Sequence, residues 1–199
     1  MKRIFFSLAL LLAVTALTAQ TNMTAREAAV KIADRILAST TYEFKNTKTG
    51  ETYKSVKKLP LDMNVKVACK YNNWHYTNGV TNMALMELGD KLADKKYEKY
   101  VLKNMNFVFN EGNLEFFRKQ YDEAFKQDGW NAVRKLSWHM IFRGKRLDDN
   151  GPMGASLIEL QMRYPNQSFL DYVNETAEHL NYGEPRLVDG TIARIWPHV

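Results

Sequence analysis

Cysteine is almost absent from this 199-residue sequence, in which Cys69 stands alone. A single cysteine excludes any disulfide within the chain, so side-chain packing must stabilise the fold. Glycine and proline are also sparse, with 10 and 5 residues, and no Gly/Ser-rich or Pro-rich linker divides the chain. The sequence therefore predicts one globular domain, whose core is drawn from the 45% of residues that are hydrophobic.

Motifs that mark common enzyme sites are missing as well. The sequence has no GxSxG, P-loop or GxGxxG segment, and it has no HExxH or CxxC pattern of metal ligands. His75, His179 and His198 lack ligand spacing among themselves. We therefore expect no metal site.

The one long apolar run lies at residues 4–19, directly after two basic residues. A basic start, an apolar run and a small residue, Ala19, indicate a secretory signal peptide over residues 1–19. The run is too short for a confident membrane span. We expect residues 20–199 to be exported to the periplasm or the extracellular space, with no membrane anchor after cleavage.

Charge of one sign does not dominate the remaining chain. The 28 basic and 22 acidic residues give a formal charge of +6, and removal of the two basic residues in the predicted signal peptide leaves +4. Lysines alternate with acidic residues along the predicted helices, which is typical of a solvated surface. We therefore expect no nucleic-acid partner.

Apolar spacing predicts about seven helices and little sheet. The capping-box sequence at residues 24–27 precedes a helical apolar pattern, which predicts a helix over residues 24–39. Residues 40–73 are predicted to be a long connection with at most one short helix or strand, and residues 187–192 a short extended turn. Three further helices are predicted to begin at Asn78, Asp94 and Gly112. Three more are predicted over residues 130–140, 152–163 and 167–181.

The helical pattern predicts an all-α fold whose helices pack as antiparallel hairpins. Large apolar side chains at regular helical spacing are expected between adjacent hairpins. These side chains are Phe107, Phe116, Phe117, Phe125 and Leu160.

One segment next to a predicted helix start carries three rings, those of Trp74, His75 and Tyr76. Aromatic rings of this kind stack on the faces of sugar rings, and their polar tips bond hydroxyl groups. A buried aromatic hinge that caps the helix would give the same pattern. The spacing alone favours the buried hinge.

A second segment, residues 143–155, places Asp148 and Asp149 where a loop meets a helix, with Pro152 expected in the first helical turn. A carboxylic acid that donates a proton near neutral pH needs burial or a neighbouring negative charge. In the simpler interpretation, one aspartate caps the helix and the other is solvated. We expect the aspartates to share one concave surface with Trp74 and Tyr76.

Three segments together resemble a known family. Residues 74–79 (WHYTNG), 147–155 (LDDNGPMGA) and 188–194 (VDGTIAR) resemble, in order and spacing, unsaturated rhamnogalacturonyl hydrolases of glycoside hydrolase family 105. That family is related to the unsaturated glucuronyl hydrolases of family 88. The resemblance covers most of the chain after the predicted signal peptide.

The resemblance implies an (α/α)6 barrel, in which six helical hairpins form a ring. The barrel needs twelve helices, and about seven are predicted here. In relatives, the segment corresponding to residues 188–194 leads into a Trp-x-Asp-Asp stretch that this sequence does not show. We therefore expect residues 20–199 to form an incomplete barrel that is inactive, or nearly so, as it stands.

The resemblance also implies a reaction. The substrate is an oligosaccharide that ends in a 4,5-unsaturated uronic acid, as left by a polysaccharide lyase. An aspartate protonates C4 of the enol ether, water adds at C5, and the hemiketal rearranges and releases the sugar. Asp149 is favoured narrowly over Asp148 as the acid, and no cofactor is required.

The remaining candidate residues would bind the unsaturated ring. Trp74 and Tyr76 would stack on it, while Arg143, Lys145 or Arg146 would attract its carboxylate. His139 and Met153 complete the candidate set of substrate-binding residues. A lone histidine beside apolar residues, as His139 is, belongs more often to the core or the surface than to a pocket.

Two other functions fit the same sequence. The first is a helical carbohydrate-binding protein without catalysis. The second is another sugar enzyme built on an (α/α)6 barrel, such as an epimerase or a mannosidase-like hydrolase. Such enzymes usually show pairs of His or Glu residues that we do not find here.

Overall fold

A computed structural model of the chain describes residues 23–143 and 147–193. Two units divide the chain, Met1–Arg35 and Ile36–Val199. Within the described residues the structure is mostly helical, with seven α-helices and little strand, as the apolar spacing predicted. The predicted signal peptide, residues 1–19, lies outside the described residues.

Helix α1, Ala25–Ser39, begins at the predicted capping box. The backbone N–H of Thr24 donates to Oε2 of Glu27 at 2.8 Å, and the N–H of Glu27 donates to Oγ1 of Thr24 at 3.2 Å. The pair satisfies donors that a helix start leaves free. The predicted helix over residues 24–39 is confirmed to within one residue.

Residues 40–73 contain more regular structure than predicted. Three short strands form an antiparallel sheet in the order β2-β1-β3, with Phe44 paired to both Tyr53 and Val67. The prediction of at most one short element was wrong because strands of two or three residues are too short to show alternation. The elements are β1 (Phe44–Asn46), β2 (Thr52–Tyr53), β3 (Val65–Val67) and the 3-10 helices Val56–Lys58 and Lys70–Asn72.

Six further helices follow the sheet region. They are α2 (Tyr76–Leu92), α3 (Lys96–Val108), α4 (Glu111–Val133), α5 (His139–Arg143), α6 (Leu147–Arg163) and α7 (Gln167–Glu178). A π-helical turn, His179–Gly183, extends α7, and an isolated antiparallel bridge between Arg186 and Ile192 forms the predicted extended turn. None of the described helices combines the length and the apolar character needed to cross a membrane.

Two helix boundaries differ from the prediction. Helix α6 begins at Leu147, so Pro152 lies inside the helix, where it removes one backbone hydrogen bond, and not in its first turn. Of the helix expected over 130–140, residues 130–133 join the helix expected from Gly112 in one helix, α4, which is kinked at Asp128 and Gly129, whereas residues 134–138 are not helical. Gly129 adopts φ 52° and ψ −132°, a conformation that essentially only glycine tolerates.

Aromatic side chains dominate the core in two clusters. Phe107 stacks on Phe44 of β1, with ring centroids 5.3 Å apart. The rings of Phe107 and Trp138 meet edge to face, with centroids 5.7 Å apart. The second cluster consists of Trp74, Phe109, Phe169 and Tyr172, whose rings meet edge to face.

One expected core residue is at the surface instead. Phe125 is 46% exposed, whereas Phe116, Phe117 and Leu160 are buried as predicted. The kink in α4 places Trp130 against Phe125, with ring centroids 5.4 Å apart. The helical spacing of Phe125 therefore marks an exposed aromatic pair and not a core contact.

Helices α2 and α6 pack closely at their N-terminal ends. A Cβ atom on Gly79 would lie 2.4 Å from the carbonyl carbon and 2.6 Å from the oxygen of Pro152, and 2.5 Å from the nitrogen of Met153. At the C-terminal ends, Arg163 of α6 donates to both carboxylate oxygens of Asp90 of α2. Because like ends meet at both contacts, the two helices run parallel.

The C-terminal contact belongs to a network of ion pairs around Glu98 of α3, which is 2% exposed. Glu98 accepts hydrogen bonds from Tyr164 at 2.6 Å and from Arg163 at 3.0 Å, and Nζ of Lys95 lies 3.0 Å away. The hydrogen bond from Tyr164 is the main cause that lowers the pKa of Glu98, and the hydrogen bond from Arg163 similarly lowers the pKa of Asp90. The network therefore joins α2, α3 and α6.

We expect Arg163→Met to lower the free energy of unfolding by about 1.5–3 kcal/mol at pH 7, because a hydrogen bond to the buried Glu98 carboxylate is lost. A carboxyl group with a lowered folded-state pKa stabilises the fold above its unfolded pKa, about 4, and loses that effect as the pH falls through the folded value. The gap between wild type and variant should therefore shrink below about pH 4. Urea unfolding at pH 7 and pH 3 measures this difference in the free energy of unfolding between wild type and variant.

Lys126→Met is the control for this experiment. Lys126 pairs with Glu123 at 2.7 Å, but the two side chains are 70% and 44% exposed. An exposed pair of this kind contributes less than about 1 kcal/mol. Equal losses in the two variants, or a gap for Arg163→Met that is unchanged at low pH, would contradict the assignment.

Candidate functional site

The loop before α2 is fixed by asparagine side chains. Nδ2 of Asn78 donates to the carbonyl oxygens of Lys70 at 2.9 Å and Asn73 at 2.5 Å. Oδ1 of Asn73 accepts from the backbone N–H groups of Trp74 at 3.1 Å and Trp138 at 3.4 Å. Amide side chains therefore replace the backbone ladder that this irregular segment lacks.

Trp138 supports the same loop from the other side. It is fully buried, and its Nε1 donates to the carbonyl oxygen of Asn72 at 2.6 Å. Its φ of 57° is left-handed, which costs a bulky residue on the order of 1–3 kcal/mol. The hydrogen bonds to Asn72 and Asn73 hold this conformation in place.

A buried hydrogen-bonded triad joins the two sequence segments. Oδ1 of Asn150, in α6, accepts from Nε1 of Trp74 at 3.1 Å and from the hydroxyl of Tyr172, in α7, at 2.9 Å. The exposed fractions of Trp74, Asn150 and Tyr172 are 2%, 3% and 8%. Burial raises the pKa of Tyr172, so its hydroxyl stays protonated and donates at neutral pH.

Two of the candidate residues, Tyr76 and Asp148, are exposed at this end of the helices. Tyr76 is the first residue of α2 and is 46% exposed, with its ring 4.5 Å from that of His75. Asp148 is the second residue of α6 and is also exposed. Since α2 and α6 are parallel, the positive ends of both helix dipoles lie at the same end, which favours an anionic group there.

Two candidate substrate-binding residues do not reach the surface. Trp74 contacts Phe109 and Tyr172 edge to face and is almost fully buried. The expectation that its ring stacks on a sugar is therefore wrong, and the ring packs in the protein interior instead. Met153 is 2% exposed because α2 packs against the backbone at Met153 through Gly79. Its proposed contact with substrate is corrected to a place in the core.

His139 and Arg143 lie in the short helix α5. Nδ1 of His139 is 2.8 Å from the carbonyl oxygen of Leu136, and the side chain is half-buried. The guanidinium of Arg143 lies over the ring of Trp130, 4.5 Å from its centroid. Neither of these two contacts involves Tyr76 or Asp148.

Three candidate residues fall partly or wholly outside the described structure. The backbone of Asp149 is in the first turn of α6, but its side chain is outside the part that the structure describes. Lys145 and Arg146 lie outside it entirely. The choice between Asp149 and Asp148 as the acid therefore stays a prediction.

Two clefts open elsewhere on the same unit. The Tyr42 cleft, of about 530 Å³, is lined by the 3-10 helix at Val56–Lys58 and by the turn between α3 and α4. A second cleft, of about 240 Å³, is lined by Phe109, Arg118 and Tyr172 among others. Tyr76 and Asp148 line neither of these two clefts.

The residues that connect the site carry little signal in the sequence. Asn150 is one position of its motif, and Tyr172 belongs to none of the motifs. Both are polar groups that must find partners once buried. The one available signal was the position of Asn150 directly after the paired aspartates.

Among the described residues, no group of three or more His, Cys, Asp or Glu side chains is placed to hold a metal ion.

Comparisons with known proteins leave the family open. No protein-family profile matches the chain. No curated protein matches it either. The family resemblance therefore stays an interpretation of three sequence segments, and the site geometry has to be judged on its own chemistry.

Proposed function

We propose that this protein is an exported glycoside hydrolase that releases a 4,5-unsaturated uronic acid from the non-reducing end of lyase-generated oligosaccharides of the pectin or rhamnogalacturonan type. The observation that carries the proposal is the hydrogen bond from Nε1 of Trp74 to Oδ1 of Asn150. It joins two of the three segments on which the family resemblance depends, although 76 positions separate the two residues.

Helix directions support the barrel that this function implies. Helices α2 and α6 are parallel neighbours, and each is followed by a short turn and a helix that packs against it, α3 and α7 respectively. The turn between α2 and α3 folds back closely on α2, because a Cβ on Gly89 of α2 would lie 3.1 Å from the carbonyl oxygen of Asp94. Parallel first helices with returning partners are the arrangement that hairpins of an (α/α)6 barrel require.

Tyr76 supports the chemistry because it is exposed where two helix N-termini meet. Asp148 is exposed there too, and its sequence neighbour Asp149 is the nearby negative charge that proton donation requires. The half-exposed ring of Tyr76 offers a face for stacking on the unsaturated sugar. The two positive helix ends favour the carboxylate of that sugar. Trp74, Asn150 and Tyr172 then act as positioning residues that keep the start of α6 next to the start of α2.

In the proposed reaction, Asp149 (or Asp148) donates a proton to C4 of the enol ether. Water adds at C5 and loses its proton to the aspartate carboxylate left by the first step, which restores the acid, and the resulting hemiketal opens and releases the shortened sugar. The acid must keep its proton near neutral pH until substrate binds. This differs from displacement at the anomeric carbon by two carboxylates.

The test is loss of the ultraviolet absorbance of the conjugated double bond in an oligosaccharide made by a rhamnogalacturonan or pectate lyase. Because residues 20–199 are expected to be nearly inactive, the variants are compared in a version of the protein with a complete barrel, where Asp149→Asn should abolish the loss and Asp148→Asn should reduce it. Asp122→Asn is the control, because Asp122 is an exposed aspartate on α4, away from these segments. Turnover that survives both Asp148→Asn and Asp149→Asn would rule out the proposed acid.

A further inference from the structure

The Tyr42 cleft is separate from the ends of α2 and α6. Its volume of about 530 Å³ is within the range of small-molecule sites, about 300–1,000 Å³. One wall comes from Lys54 and from Lys57 of the 3-10 helix. The other wall comes from Asn106 of α3 and from Asn110 and Asn113 at the start of α4. The function proposed above uses none of these residues.

Positive charge predominates around this cleft. Lys54 and Lys57 are exposed and line it, and Nζ of Lys103 lies over the Tyr42 ring, 4.2 Å from its centroid. Glu111 is the acidic residue of the lining. The described residues that line the cleft include no arginine, whose planar fork binds phosphate bidentately. Lysines of this kind suit a carboxylate, which they attract as point charges.

The remaining polar groups match hydroxyl-rich rings. Three asparagines line the cleft, and each amide group can both donate and accept hydrogen bonds. Asn113 is 7% exposed and is fixed because its Nδ2 donates to the carbonyl oxygen of Phe107 at 2.9 Å. Burial raises the pKa of Tyr42, so its hydroxyl is neutral and can donate.

Apolar surface completes the match, because Phe107 lines the same cleft and meets Tyr42 edge to face at 5.4 Å. Sugar rings combine apolar faces with hydroxyl edges, so they use an aromatic floor and amide walls together. We propose that the Tyr42 cleft is a second, non-catalytic binding site for an acidic oligosaccharide, a chain of hydroxyl-rich rings that carry carboxylates.

The test measures binding of trigalacturonate to the full chain by isothermal titration calorimetry. Lys57→Gln should weaken binding about fivefold or more, because one cation of the cleft wall is removed. Lys58→Gln is the matched control, since it removes the same charge from the next residue, which is also exposed and does not line the cleft. It should change the affinity less than about twofold.

Asn106→Ala and carboxyl-reduced trigalacturonate separate the contributions of hydroxyl and carboxylate. Asn106→Ala should weaken binding without any change in charge, and the reduced, neutral sugar should bind at least about fivefold more weakly than the acid. Equal losses for Lys57→Gln and Lys58→Gln would reduce the cleft to a diffuse positive surface and overturn the proposal. Equal affinity for the neutral sugar, or no binding of trigalacturonate, would also overturn it.

This measurement does not depend on the reaction proposed for Asp148 and Asp149. Binding is recorded without turnover, so an inactive chain gives the same titration. Asp149→Asn should leave binding at the Tyr42 cleft unchanged, whereas Lys57→Gln should leave the double-bond assay at saturating substrate unchanged. A failure of the hydrolase proposal and a failure of the second site are thus distinguished by different variants.

Discussion

Replacing Gly79 with alanine is expected to destabilise the fold by about 3 kcal/mol, at the upper end of what an added methyl group does in a packed core. The new Cβ would lie 2.4–2.6 Å from three atoms of the Pro152 and Met153 backbone. A backbone contact cannot be relieved by rotating a side chain, so α2 and α6 would have to separate. Urea unfolding followed by circular dichroism measures the loss.

Gly154→Ala is the matched control for this prediction. Gly154 is in α6 as well, but a Cβ there would meet nothing within 4 Å. Alanine is favoured over glycine inside a helix by about 1 kcal/mol, so this variant should be as stable as the wild type or more so. If Gly79→Ala behaves like Gly154→Ala, the close approach of α2 and α6 is not present in solution.

Asn150→Leu is expected to lower the free energy of unfolding by about 2–4 kcal/mol. The change leaves two buried donors, Nε1 of Trp74 and the hydroxyl of Tyr172, without the oxygen that both now use. Each orphaned buried donor costs about 1–3 kcal/mol. The start of α6 would also lose its fixed place beside the start of α2, so turnover in the double-bond assay should fall with stability.

A double-mutant cycle with Tyr172→Phe separates the two donors. Tyr172→Phe alone removes one donor and should cost about 0.5–1.5 kcal/mol. In the Tyr172→Phe background, Asn150→Leu orphans only Trp74, so its effect should be smaller than in the wild type. Strictly additive effects of the two substitutions would show that Asn150 and Tyr172 do not share a hydrogen bond.

Helix positions were predictable because the apolar spacing that defines a helix is local. The capping box at Thr24 and Glu27 and the runs that became α2, α3 and α7 all carry that signal. The start of α6 was not predictable in the same way, since Pro152 normally marks a first turn and here lies inside the helix. The small sheet was missed because its register depends on contacts such as that of Gln120 with Val65, 55 positions apart.

The candidate site was predictable only in part, since motifs identify residue types but not their burial. Tyr76 and Trp74 are two positions apart in one motif, yet the first is 46% exposed and the second 2%. That difference depends on Phe109 and Tyr172, which come from other helices. Asn150 was inconspicuous for the same reason, because its importance depends on which donors the fold brings to it.

The two contacts between α2 and α6 also limit how these helices can change in length. Gly79 and Asp90 are 11 positions apart, and so are Pro152 and Arg163. Eleven residues make about three turns of an α-helix, so both contacts fall on one side of each helix. One inserted residue between them would rotate the far end by about 100° and carry Asp90 away from Arg163. Related sequences should therefore conserve this spacing in both helices, and place their insertions and deletions in the loops.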